Sequence, residues 1–286
     1  MAKGRELKGR IKSVENTRKI TRTMEMIATS KMKRAQDRVV AARPYARALT
    51  DVIASLYSND LADEFPLLRQ PKQVHRAAVL LLTTNRGLAG GFSSNLVKEA
   101  RALVTRLEKA GTTVELHVVG KKGIGYFRYV GRAVAVSRTD ITDRPTSADA
   151  ASLVETLMAE FAAGTLDALW VVGAQFKSAL SSPPASERVL PVTPPEAKAA
   201  QRDYLLYPSA GAILGALLPA YVRNSVYRAL VETAAAEQAA RRTAMKSATD
   251  NAGEMLNVLR RTYNRARQAN ITQEIAEIVG GAAALD

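Results

Sequence analysis

Met245-Lys246-Ser247-Ala248-Thr249-Asp250-Asn251-Ala252-Gly253-Glu254-Met255-Leu256 and the ten residues after it decide the fold. Met245, Thr249, Ala252, Leu256, Leu259, Tyr263 and Ala266 are spaced 4, 3, 4, 3, 4, 3. That spacing is a 3.5-residue repeat, which keeps one stripe of a helix facing a partner helix. Near Asn270 the stripe shifts by one residue and resumes as Ile271, Ile275, Ile278 and Ala282. Gly253 costs about 1 kcal/mol relative to Ala, and no proline interrupts the stretch. One long helix is therefore expected almost to the C-terminus, with a seam of small residues that needs a close partner.

The N-terminal end supplies a matching stripe. Ala28, Met32, Ala35, Val39, Ala42, Ala46, Leu49, Ile53 and Leu56 keep the 4, 3 spacing without a break. Upstream, Leu7, Ile11 and Val14 begin a seam expected to slip in phase through Ile20, Met24 and Ile27, as a stutter would. Two long alanine-rich helices at opposite ends of one chain bury their stripes most simply against each other. The alternative is two separate amphipathic helices on a globular body. A first helix from Lys3 to Leu56 is expected, kinked at Pro44, with a linker from Asn59 to Pro71.

The period then changes. Ala77 to Thr84 is a continuous apolar run, as in a strand covered on both faces. A glycine-rich turn from Asn85 to Phe92 leads into a helix over Ser93–Lys109, which Gly111 closes. Val114–Val119 reads as a strand, Lys121–Tyr129 as a short helix and Val130–Ser137 as a third strand. A turn over Asp143–Ser147 precedes a helix over Ala148–Ala162, and Leu166–Ala174 is again strongly apolar. Glu187–Val192 adds an edge strand. Alternating strands and helices imply an open, largely parallel sheet. The expected fold is α/β: a long antiparallel coiled coil of residues 1–58 and 208–285 with a Rossmann-like α/β domain, 72–200, inserted between them.

Composition narrows the chemistry. The 286 residues are 47% hydrophobic, enough for a core, and aromatics make up only 5%, as helix seams of Ala, Met and Leu would give. With no cysteine, disulfides, thiol switches and cysteine metal sites are excluded. His75 and His117 have no second ligand at a usable spacing. The N-terminus enters a helical pattern without an apolar signal core, so secretion is not expected, and Glu6, Glu15 and Glu25 argue against a transit peptide. Tyr204–Val222 carries no charge over 19 residues. Pro208, Ser209, Gly211, Gly215 and Pro219 fall within it, which favours a loop and a buried helix start over a membrane span.

The formal charge is +14, and residues 1–50 hold fourteen Lys or Arg against four acids. Such a helix suits nucleic acid, an anionic membrane or an acidic protein. Tyr45 is the segment's one aromatic, so no base-stacking platform is visible. In the middle domain, Gly87, Gly90 and Gly91 match neither G-x-G-x-x-G nor the phosphate loop ending in Gly-Lys-Ser/Thr, and Gly120-Lys121-Lys122-Gly123-Ile124-Gly125 fails both spacings. Tight turns explain these glycines best. Ser93 and Ser94 lack an interpretable histidine, and Asp143, Asp149 and Glu155 form no pair that demands acid–base work. No catalytic, cofactor or metal residue is expected.

Ile271-Thr272-Gln273-Glu274-Ile275-Ala276-Glu277-Ile278-Val279-Gly280-Gly281-Ala282-Ala283-Ala284 closely resembles the C-terminal signature of the gamma subunits of rotary ATP synthases. Met24-Glu25-Met26-Ile27-Ala28-Thr29-Ser30-Lys31-Met32 is similar to that family's N-terminal signature. Ala244 to Asn251 and Arg86 to Gly91 match family patterns as well. The resemblance covers the whole chain. It implies a central shaft inside a hexamer of alpha and beta subunits. Its foot would rest on the membrane c-ring and bind the epsilon subunit, coupling proton flow to ATP synthesis without catalytic residues or cofactor.

By position, Met24 matches a methionine facing the acidic lever loop of beta. Arg241, Arg267, Gln268 and Thr272 match residues touching the alpha–beta ring, and Glu274 lies on the same segment. Ala276 departs from the polar residue common there. The resemblance also implies a peripheral place on the cytoplasmic side of a bacterial inner membrane. A helix of roughly 75 residues would span roughly 110 Å at 1.5 Å per residue, long enough to cross a hexameric head. Two other readings are a basic coiled-coil nucleic-acid-binding protein and a nucleotide-binding α/β enzyme using Gly87 to Gly91.

Overall fold

The computed structural model describes residues 2–56, 64–193, 207 and 209–283, with side chains from 5 to 278. Helix α1 runs Ala2–Leu56 and continues through Pro44. A 3₁₀ turn, Pro66–Leu68, precedes β1 (Arg76–Leu82), α2 (Phe92–Lys109), β2 (Thr113–Val119), α3 (Lys121–Tyr129) and β3 (Val136–Arg138). Then follow α4 (Ser147–Ala162), β4 (Ala168–Ala174), β5 (Pro184–Leu190) and α5 (Ala210–Ala283). Helix α5 is 74 residues long and contains Pro219. The uncharged run becomes the buried first turns of α5, with Leu214, Leu218 and Val222 inside. Its residues 204–206 and Pro208 lie outside the described residues. Among those described, no helix is long and apolar enough to cross a membrane.

The chain divides into two compact units, 29–240 and 1–28 with 241–286. In the α/β unit the sheet order is β3-β2-β1-β4-β5. Strands β1 to β4 are parallel and β5 pairs antiparallel with β4. Six of the seven β1 residues are buried, because both faces are covered. Ala78, Leu80 and Leu82 point into a core built with α4 residues such as Val154, Leu157 and Phe161. Val79 and Leu81 point into a second core with α2 residues Leu96, Ala100 and Leu103.

The long helices complete both cores. Leu49, Ile53 and Leu56 of α1 join Leu214, Leu218 and Val222 of α5 in the first. Met32, Ala35 and Val39 join Val231, Ala235 and Ala239 in the second. High α1 numbers thus accompany low α5 numbers, as antiparallel helices require. The stretches 29–56 and 210–240 are walls of the α/β unit.

The coil unit is also antiparallel. Glu15 accepts from Arg260 at 2.5 Å, Arg18 lies over Gly253, and the hydroxyls of Thr21 and Thr249 are 2.9 Å apart. Leu7, Met245, Thr249, Ala252 and Leu256 are buried as expected, and Ile11, Val14, Leu259, Tyr263 and Ala266 are half-buried.

Two parts of the expected seam are corrected. Ile20 and Ile27 are 60% and 52% exposed. The true seam runs 7, 11, 14, 18, 21, 25, 28 without a stutter, and it is polar at Arg18, Thr21 and Glu25. Ile271, Ile275 and Ile278 are also exposed. The register set by Glu15–Arg260 and Thr21–Thr249 places Ile271 opposite the first residues of α1.

Two local expectations change as well. The strand expected over Val130–Ser137 shrinks to Val136–Arg138. The amides of Val130, Gly131 and Arg132 bond back to Tyr126, Arg128 and Phe127 of α3, which takes them from any ladder. The linker expected over Asn59–Pro71 falls outside the described residues up to position 63. Its later part holds a buried turn, with Leu67 and Leu68 in the core and the Leu67 carbonyl accepting from Val192. Helix α4 begins with a reciprocal cap, in which Thr146 Oγ1 accepts from Asp149 N and Asp149 from Thr146 N.

Candidate functional site

An open parallel sheet offers a ligand crevice beyond the carboxyl ends of its strands, where the strand order reverses. Here that point lies between β1 and β4. The turn after β1 is closed by its own residues. Asn85 Nδ2 donates to the carbonyls of Thr139 and Ile141, and Asn85 Oδ1 accepts from Lys121 N. Thr84 Oγ1 donates to Arg86 O and lies 2.9 Å from Ser93 Oγ. Gly120, at φ +99°, has room for no side chain, since a Cβ there would lie 2.3 Å from Thr83 O. Gly123 is also tight, with a Cβ 2.7 Å from Thr83 Oγ1, and Gly90 takes φ +59°, whereas Gly87, Gly91 and Gly125 have room for a Cβ.

Helix α5 fills the other side of the crevice. Ala174 N donates to Thr233 Oγ1 at 3.0 Å and Phe176 N donates to Glu232 Oε2 at 3.2 Å. A Cβ on Gly173 would lie 2.7 Å from Thr233 Oγ1. Burial pushes the Glu232 carboxyl above its usual range, opposed by the Phe176 amide and by Arg228 and Arg43. The sequence reading missed both residues. Its one signal was Gly173 inside an otherwise apolar strand, which marks a close backbone approach.

At the opposite end of the strands Arg76 pairs with Glu115 at 2.5 Å and Glu160 at 3.2 Å. The Arg76 hydrogen bond holds Glu115 below the usual carboxylate range. His117 is buried beside Glu115, and burial lowers its pKa despite that carboxylate. This cluster ties β1, β2 and α4 together. Among the described residues no group of three His, Cys, Asp or Glu side chains is arranged to hold a metal.

The residues expected to touch a ring of partner subunits fall into three places. Met24 is half-buried beside the seam, whereas Arg241 is only 8% exposed. Arg267, Gln268, Thr272 and Glu274 are exposed on one stretch of α5, where Thr272 Oγ1 donates to Gln268 O. Ile271, Ile275 and Ile278 are exposed on the same stretch, one helical face at spacings of 4 and 3. Only these last four polar positions are brought together.

A family model described as ATP synthase matches residues 3–285. The ATP synthase gamma chain of Gemmatimonas aurantiaca is 67% identical over 288 residues, covering 100% of this chain and 99% of that one. This chain belongs to the ATP synthase gamma chain family. The Leptospira biflexa gamma chain is 42% identical, with both chains covered in full. The Streptomyces coelicolor gamma chain is 45% identical over 98% of this chain and 95% of its own.

Among solved structures, a chain of the Euglena gracilis mitochondrial ATP synthase rotor has a TM-score of 0.64 at 18% identity, covering 94% of this chain and 99% of that one. A chain of the Tetrahymena thermophila mitochondrial central stalk and c-ring has a TM-score of 0.62 at 24% identity, covering 80% and 99%. At these identities they speak to the fold: long terminal helices with an α/β part between them.

Proposed function

We propose that the chain is the central-stalk rotor subunit of a proton-translocating ATP synthase, carrying torque between a membrane c-ring and a hexamer of alpha and beta subunits. The observation that carries this is identity to gamma chains along the whole length. The chain would perform no catalysis itself. Epsilon would bind at the foot, and the complex would hold the chain peripherally on the cytoplasmic face of a bacterial inner membrane, in keeping with the bacterial relatives. By function, residues 1–58 and 208–285 would be the shaft and 72–200 the α/β part.

Met24, Arg241, Arg267, Gln268, Thr272 and Glu274 would contact the alpha–beta ring. For Arg267, Gln268, Thr272 and Glu274, support comes from the apolar face of Ile271, Ile275 and Ile278 on the same stretch, which the chain itself leaves exposed. Such a patch marks an interaction site. Met24 and Arg241 rest on the sequence resemblance alone. A basic shaft would also suit acidic loops, because screened, non-directional attraction lets it turn without being trapped in one orientation. Family membership lends no support to the nucleic-acid reading.

The test is assembly. Purified chain mixed with alpha and beta subunits should form a complex with ATPase activity, and membranes carrying the c-ring should then pump protons with ATP. A chain that neither binds the hexamer nor restores pumping would refute the proposal.

A further inference from the structure

Helix α5 is seated on the α/β unit by two kinds of contact. Apolar packing supplies most of the burial, with Leu214 to Leu230 in one core and Val231 to Ala239 in the other. Such packing decides which face of the helix is buried, but it is non-directional and holds no single atom to a fixed partner. Thr233 and Glu232 act differently. They are adjacent, so their side chains leave the helix about 100° apart at 3.6 residues per turn. Both reach amides at the end of β4: Ala174 N to Thr233 Oγ1 at 3.0 Å and Phe176 N to Glu232 Oε2 at 3.2 Å. The two bonds are made together at only one rotation of the helix. Gly173 allows the close approach they need. Arg228, one turn earlier, holds Glu187 of β5 at 2.6 and 2.9 Å, and Arg223 holds Glu155 of α4 at 2.8 Å. Those exposed pairs add little strength but run along the same helix.

We propose that the α/β sheet is a grip on α5: Glu232 and Thr233 occupy the sheet's ligand crevice as an internal ligand, fix the helix against rolling and carry torque between the α/β unit and the shaft. The torque clause rests on the rotor reading above; the grip does not. Thr233 and Glu232 are positioning residues, and a shaft that transmits torque cannot slip in its seat.

Thr233→Val keeps the side-chain shape but removes the acceptor, and Thr233→Ser keeps the hydroxyl. In full-length protein, hydrogen exchange at the Ala174 amide should speed up about tenfold or more in the valine variant, as loss of a buried hydrogen bond implies. Serine should restore it. Glu232→Met, at a half-buried position, provides the same test at the Phe176 amide should the valine variant fail to fold. In the reconstituted complex the valine variant should hydrolyse ATP at the parent rate but pump fewer protons per ATP, with serine again restoring coupling. Unchanged exchange at both amides overturns the grip. Faster exchange with unchanged protons per ATP overturns its role in torque. Should even the parent chain fail to support pumping, the rotor reading falls, while the exchange result still decides the grip.

Discussion

Residues 7–28 and 28–56 of α1 keep the same 4, 3 spacing, but the first stretch's seam is polar in its middle and the second's is apolar throughout. The first stretch carries Arg18, Thr21 and Glu25 at seam positions and faces α5 alone. The second carries Ala28, Met32, Ala35, Val39, Leu49, Ile53 and Leu56, which are 7% exposed or less, and forms a wall of two cores. Spacing decides which side of a helix faces inward, and the number of layers behind it decides how apolar that side must be. A two-helix coil leaves its seam partly wet, so polar residues survive there and specify register at some cost in stability.

The largest expected effect lies in the layered unit. Phe161 is fully buried, and Phe161→Ala should lower unfolding free energy by about 3–5 kcal/mol, measured by chemical denaturation. In the coil unit Leu256, 2% exposed, should cost about 2 kcal/mol on truncation to Ala, the low end for a leucine, because one neighbouring helix can settle into the gap. Equal losses would break the comparison, since the coil would then be packed as tightly as the α/β core.

Thr249→Val should cost about 1 kcal/mol, because it removes the hydroxyl that meets Thr21 Oγ1 across the seam and leaves Thr21 only its bond to Arg18 O. The double change with Thr21→Val should recover most of that, and a cycle without coupling would mean that the polar seam specifies nothing. The smallest effect is at Glu232. Its carboxyl pKa is raised in the folded state, so the folded protein binds that proton more tightly than the unfolded chain does. The stability this gives is present below the ordinary carboxylate range and is lost as pH rises through the folded value. Glu232→Gln, which still accepts from Phe176 N, should therefore be slightly more stable than the parent at pH 7. The gap should close toward about pH 4, as denaturation at several pH values would show.

The sequence made the elements legible wherever hydrophobic period was strong. The buried run Ala77–Leu82, the seam from Ala28 to Leu56 and the seam from Met245 to Ala266 all appear where the pattern put them. It failed where burial was not apolar. Following isoleucines led through Ile20 and Ile27, which face water, and past Thr21 and Glu25, which hold the seam. Counting spacing alone would have found the unbroken repeat. The isoleucines beyond Asn270 looked like more seam because their spacing is right, yet they are exposed, and spacing alone does not show which helix, if any, faces a stripe. Likewise Thr233 and Glu232 could not be paired with β4 from their own neighbourhood, since they meet it across 59 and 56 positions.

The claim most open to test is that residues 7–28 and 245–266 pair as one antiparallel coil. The chain has no cysteine, so one engineered pair gives a clean measurement. Thr21→Cys and Thr249→Cys replace side chains whose oxygens are 2.9 Å apart. Oxidation should close an intrachain disulfide nearly quantitatively, and the reconstituted complex should go on pumping protons with ATP as fast as before oxidation, because a bond within the coil leaves its pairing unchanged. Failure to form the disulfide would contradict the pairing. Pumping that stops on oxidation and returns on reduction would show that the two helices must move against each other, which a fixed coil pairing contradicts.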